Sequence, residues 1–297
     1  MTVYDFCSFL NENDLYEIRL NQHWDFVDKF IVVEVGETHT ARKKRLNFDH
    51  ARFEKYKSKI HYVTFDSFAS EMPKYPELID ATARNPVGKE CVVEDWTRCF
   101  FQDNYVVKVI RDLGAMDDDI VYASCLDEII RENAFERGMR NFIPKNAIYQ
   151  NGLRPTFFFN FYLYKYKVNL MSQHWTQGHY AAIMTEVGNF KKILPATIRH
   201  RSIHTHPHIS NAGWHFSSID NGSGILLDKI KSWAHSRDTL PDGTKRCDVK
   251  NSEEASILVM SDFKKPLSEV IVPFTEETHP KYLINNLDKF KDLIYKE

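Results

Sequence analysis

The run Lys29-Phe30-Ile31-Val32-Val33-Glu34-Val35 constrains the fold more than any other feature of the chain. It has the length of one strand and is almost continuously apolar, as expected of a strand covered on both faces. Similar strand-forming runs flank it at Val3 to Phe9, Ile60 to Phe65 and Asp119 to Ser124. Helical patterns lie between them. Asn13 and Asp14 offer N-cap chemistry for a stretch carrying Leu15, Ile18, Arg19 and Gln22. The polar segment Asp49 to Lys57 can form a helix. Val93, Trp96, Phe100, Val107 and Ile110 recur at roughly helical spacing, and Gly114 is placed to end that helix. Strand and helix in regular alternation predict an α/β fold with a mostly parallel sheet, whose ligands bind at the carboxyl ends of the strands.

The pattern changes after about residue 150. Phe157 to Tyr166 is densely aromatic and reads as a packed strand extending the sheet antiparallel. Residues 179 to 185 and 213 to 219 are further strand candidates, while 225 to 235 and 280 to 295 read as helical. With no Pro/Gly/Ser-rich linker, repeat or low-complexity segment, residues 1–297 read as one α/β domain with an elaborated second half.

Charge narrows the function classes. Against 41 Asp and Glu stand 39 Lys and Arg, so there is no global electrostatic reason to bind nucleic acid or an anionic membrane. Any anionic ligand must be met locally. No run approaches a membrane span, and the first residues lack the basic and apolar regions of a signal peptide. The five cysteines are scattered without C-x-x-C spacing, which points to a reducing compartment. A cytoplasmic or otherwise soluble protein with no anchor is expected. Asn221-Gly222-Ser223-Gly224 lacks the ending of a P-loop, and no G-x-S-x-G elbow occurs. The basic loop Ala41-Arg42-Lys43-Lys44-Arg45 reads as a solvated charge run.

Acidic chemistry is concentrated in Ser124-Cys125-Leu126-Asp127-Glu128, at the end of a strand predicted to be buried. Carboxylates there suit a cation or ligand, Asp oxygens being hard donors for Mn²⁺ or Mg²⁺. The alternative is a helix N-terminus whose dipole they complement. His204, His206 and His208 alternate along an extended segment and form a candidate metal triad, although Pro207 disfavours a regular inner strand. His215, flanked by Trp214 and Phe216, needs a polar partner or a ligand.

Together these segments resemble glycosyltransferase family 17, that of the enzyme adding the bisecting GlcNAc to N-glycans. The resemblance rests on Tyr4 to Leu20, Asp25 to Glu34, Glu94-Asp95-Trp96-Thr97-Arg98, Asp127-Glu128-Ile129, Gly213-Trp214-His215-Phe216-Ser217 and Pro280-Lys281-Tyr282-Leu283, in order along nearly the whole chain. It implies a GT-A-like fold, with a Rossmann-like nucleotide-sugar-binding half (1–130) and an acceptor-binding half (131–297). It further implies UDP-GlcNAc as donor, a glycan acceptor and inversion at the anomeric carbon. Asp127 and Glu128 fall in the family's acidic metal motif, and a Mn²⁺ or Mg²⁺ held there would sit on the donor diphosphate. Arg98 can add positive charge; Trp214 and His215 are further donor-binding candidates, and His215 or His235 could join the metal. Inversion needs a carboxylate base, for which Glu34, Glu94, Asp95 and Asp220 are candidates. One departure stands out: the family reads Asp-x-Asp-Glu-Ile-Pro, whereas this chain has Cys125 and Ile130 at the first and last of those places. A thiolate is a poor ligand for Mg²⁺. A non-catalytic glycan- or nucleotide-binding protein of the same fold is the alternative, and a histidine-based metallohydrolase a third.

Overall fold

A computed structural model describes residues 1–83, 91–140, 142, 152–172, 179–201, 206–240, 243–261 and 269–296. His204 lies outside these residues. The strands are β1 (Val3–Phe9), β2 (Lys29–Val35), β3 (Ile60–Phe65), β4 (Ile120–Cys125), β5 (Glu128–Ile130), β6 (Thr156–Tyr166), β7 (Leu170–Ser172), β8 (His179–Glu186), β9 (His208–Ile219) and β10 (Glu269–Ile271). The helices are α1 (Asn13–His23), α2 (His50–Phe53), α3 (Phe68–Glu71), α4 (Val93–Asp112), α5 (Glu132–Arg140), α6 (Pro195–Arg201), α7 (Ile225–Ser232), α8 (Ser252–Ser261) and α9 (Lys281–Ile284).

The ten strands among the described residues belong to one sheet, with β10-β7-β6-β8-β4-β1-β2-β3 as its main path. The β4-β1-β2-β3 block is parallel, as the alternation predicts. Both faces of this block are covered. Phe30 and Val32 point into one apolar cluster and Ile31 and Val33 into another, which is why the β2 run shows no polar alternation. The two remaining strands are attached to this path: β9 runs parallel to β6, and its middle also pairs antiparallel with β5.

Three expectations change. The aromatic strand β6 is core, but β8 stands between it and β4; β6 is antiparallel to β8 and parallel to β9. Residues 280–295 do not form one continuous helix: α9 stops at Ile284, where the Asn286 side chain bonds the Tyr282 carbonyl at 2.8 Å and competes with the helical pattern, and only a short 3₁₀ helix, Lys291–Leu293, follows. Finally, neither Asn13 nor Asp14 caps α1. The cap position is Glu12, and the Asn13 side chain instead ties the 47–49 segment, donating to Asn47 O and accepting from Asp49 N.

Candidate active site at the end of β4

The acidic segment is not a helix start. After β4 the chain turns through Leu126 and Asp127 directly into β5, so the helix-dipole alternative is set aside. A buried cation shapes that turn. Arg19, fully enclosed on α1, donates to the carbonyls of Cys125 (2.7 Å), Leu126 (3.2 Å) and Glu128 (3.0 Å), and to Ser124 Oγ at 2.7 Å. Its opposite edge meets the carboxylate of Asp5 on β1. Asp5 also binds His23 Nδ1 at 2.6 Å, while His23 Nε2 accepts the Ile130 N–H at 3.0 Å. An accepting Nε2 puts the proton of the neutral ring on Nδ1, facing Asp5. Burial depresses the His23 pKa, in keeping with that neutral form. Burial alone would raise Asp5, but Arg19 and His23 hold it ionised below the usual carboxylate range.

On this support Asp127 meets a lysine and a histidine. Its Oδ2 accepts from Lys229 Nζ of α7 at 2.8 Å, and Lys229 also reaches Glu12 Oε1 at 3.1 Å. His215 Nε2 stands 3.4 Å from Asp127 Oδ1. The β5–β9 register brings it there by pairing Glu128 with His215 and Ile129 with Trp214. Side chains alternate along a strand, so Trp214 faces the opposite side, in the core beneath the Arg131 guanidinium at 4.3 Å. Burial pushes both acidic carboxyls up, but with different results. Lys229 and His215 override it at Asp127, which stays far below the carboxylate range, whereas Glu128 remains raised despite Arg199. Neighbouring carboxyls driven apart in this way are characteristic of functional sites.

Arg199 of α6 is the other buried cation. It contacts Asp103 Oδ2 at 2.7 Å, Cys125 Sγ at 3.2 Å and Glu128 Oε2 at 3.6 Å. Ser8, at the end of β1, donates to Asp103 Oδ1 at 3.1 Å. A small, largely apolar hollow lies beside Lys229, lined also by Glu12, Asp14, Leu15, Asn221 and Ile225.

The other sequence candidates are dispersed. Glu34, at the end of β2, accepts from Asn47 N (2.7 Å), Phe48 N (3.1 Å), Tyr62 Oη (2.7 Å) and Lys44, which anchors the basic loop. Asp95 is clasped by Arg98 and Arg237. Arg98 also donates to the His39 carbonyl at 2.9 Å, so the structure places it in that cluster. Glu94 is exposed in the first turn of α4. Asp220 follows β9, buried, with Oδ1 lacking a hydrogen-bond partner among the described residues and Lys167 Nζ at 4.0 Å from Oδ2. His235 pairs with Asp238 at 2.7 Å and lies edge-on to Trp96. His206 and His208 both stack on Phe158.

A divalent cation fits these donors poorly. Lys229 occupies one oxygen of Asp127, Glu128 Oε2 accepts the Cys125 N–H at 2.8 Å, and Cys125 supplies sulfur where the family has oxygen. Among the described residues no three His, Cys, Asp or Glu side chains are grouped to hold a metal ion.

Arg19, Lys229, Arg199, Glu12 and Asp103 were not among the site candidates read from the sequence. Two of them carry a recognisable signal: Arg19 lies one residue from Ile18 and four from Leu15, and Lys229 lies between Leu226 and Ile230. A cation inside an apolar helical stripe must meet a buried anion or carbonyl.

The fold is that of an α/β protein whose charged groups gather in an acidic turn, with Arg19 and Arg199 buried beside it, at the carboxyl end of β4, where sheets of this kind bind their ligands. More particularly, the chain belongs to glycosyltransferase family 17, whose family model matches residues 1–295. It is a glycosyltransferase. No curated protein gives a significant match. Among the described residues no helix is long and apolar enough to cross a membrane.

Proposed function

We propose that the protein is an inverting glycosyltransferase of GT-A-like organisation that moves N-acetylglucosamine from UDP-GlcNAc to a hydroxyl of a glycan acceptor. The observation that carries this reading is the acidic turn at the end of β4, held rigidly by Arg19 and flanked by Lys229 and Arg199. The donor diphosphate lies against these two cations, which offset the charge that develops as UDP leaves. The donor is held between residues 1–130 and the cations of α6 and α7, and the later strands bind the acceptor. The acceptor oxygen forms its bond to the anomeric carbon as the bond from that carbon to the β-phosphate oxygen breaks, and a carboxylate takes the hydroxyl proton.

Asp220 is assigned that role. Glu34 and Asp95 have their oxygens engaged by structural partners and Glu94 faces solvent, whereas Asp220 keeps a buried oxygen without a hydrogen bond. Its neighbour Asn221 lines the hollow shared with Lys229. UDP release from a panel of UDP- and GDP-sugars tests the function. UDP-GlcNAc should be turned over, and Asp220→Asn should lower kcat by about 100-fold or more while leaving donor affinity nearly unchanged. Cys125 in place of the family's Asp favours one second reading, a nucleotide- or glycan-binding protein without turnover. Calorimetric binding of UDP with no release from any sugar donor would establish it against the first.

A further inference from the structure

The donor set at the acidic turn disagrees with the divalent cation expected from the family resemblance, and the disagreement has a specific form. Lys229 Nζ lies 2.8 Å from Asp127 Oδ2 and 3.1 Å from Glu12 Oε1, so it joins α7, the turn after β4 and the residue before α1. A divalent cation would bridge carboxylates in the same way. The Lys229 side chain is only 14 % exposed and those of Asp127 and Glu12 still less. An ammonium there is a desolvated counter-ion, unlike a surface lysine that can swing away at little cost. It carries three N–H donors; two are directed at Asp127 and Glu12, and among the described residues the third meets no other acceptor. The hollow that Lys229 and Glu12 line with Asn221 is where that donor can meet a ligand oxygen. Nearby, Cys125 Sγ accepts from Arg199 at 3.2 Å, so a guanidinium stands beside the position where an aspartate would otherwise add a hard oxygen.

We propose that Lys229 takes the place of a divalent cation at the acidic turn, bridging Asp127 and Glu12 and offering its remaining N–H to a diphosphate oxygen. Binding of a nucleoside diphosphate then requires Lys229 and no metal. The diphosphate part rests on the nucleotide-sugar reading above; the counter-ion part does not. An ammonium brings one positive charge where Mn²⁺ brings two, and Arg199 supplies the second from the Cys125 side.

Two measurements on the full-length protein decide it: titration with Mn²⁺ followed by electron paramagnetic resonance, and calorimetry of UDP in EDTA and in Mn²⁺. The wild-type protein should show no saturable Mn²⁺ binding, and its UDP affinity should be the same in both buffers. Lys229→Met should weaken UDP about tenfold or more in EDTA, the loss of a charge-assisted hydrogen bond. Lys229→Arg keeps the charge and should retain UDP binding, which guards against a Met variant that folds poorly. One Mn²⁺ bound by the wild type and lost in Asp127→Asn, or UDP bound only with Mn²⁺, overturns the proposal. UDP bound in neither buffer overturns the nucleotide-sugar reading and the diphosphate part with it, while the Mn²⁺ titration still decides whether Lys229 is the counter-ion.

Discussion

Single buried charges position the site. Arg19 meets a carboxylate, a hydroxyl and four carbonyls with no exposure to water. Removing one partner of such a group leaves the others desolvated and unpaired, at a cost of about 3–5 kcal/mol. Arg19→Met should therefore lower the urea midpoint far more than a surface Arg→Met change, for which Arg45 is a suitable control. His279 makes a pH-dependent contribution. Fully buried, with Nε2 2.9 Å from the Val168 carbonyl, it has its pKa pushed down to about 4 by burial, against partial opposition from backbone carbonyls. The unfolded chain takes up the proton near pH 6.5 and the folded chain only near pH 4. Its stabilising contribution is thus complete above pH 6.5 and falls as the pH drops towards 4, by about 3 kcal/mol. Unfolding free energy measured from pH 7 to pH 4 should fall less steeply for His279→Gln than for the wild type.

Elements show which parts of this arrangement were legible in the sequence. The bounds of β1, β2 and β3 coincide with the sequence reading because each is a concentrated β-branched or aromatic run. The 280–295 region is helical only in short pieces, because the Asn286 side chain competes for the Tyr282 carbonyl against the apolar spacing around it. In the site, Asp127 and His215 were readable from their local surroundings, a strand end and an aromatic flank. Lys229 was not, since its partner Asp127 is 102 residues away and only the tertiary fold joins them. Gly213 explains part of the Gly-Trp-His-Phe-Ser motif. With φ at +152° it lets β9 pass so close to β5 that a Cβ would lie 2.0 Å from the Ile129 carbonyl oxygen. Gly213→Ala should push β5 away, lower stability and reduce donor binding together, as thermal melts and UDP calorimetry on the same preparation would show.

Across the whole molecule, one sheet runs through the parallel strands of the first half and the mixed strands of the second. β4 pairs with β1 on one side and β8 on the other, and β9 ties β6 to β5. No edge therefore lies between the two halves at which they could separate without breaking a ladder. Chemical denaturation followed by tryptophan fluorescence and by far-ultraviolet circular dichroism should give coincident, single transitions.

The clasp of Arg19 on the acidic turn also bears on how the protein can be shortened or fused. The guanidinium comes from the first twenty residues and the carbonyls it gathers come from positions more than a hundred residues later. Trimming the start of the chain would remove the mould around which Cys125 to Glu128 is cast, leaving a fragment that retains Asp127 but not its orientation. A split version cut between α1 and β4 should regain the site only when the opening segment is supplied in trans, and the strength of that complementation would report how firmly the turn is held.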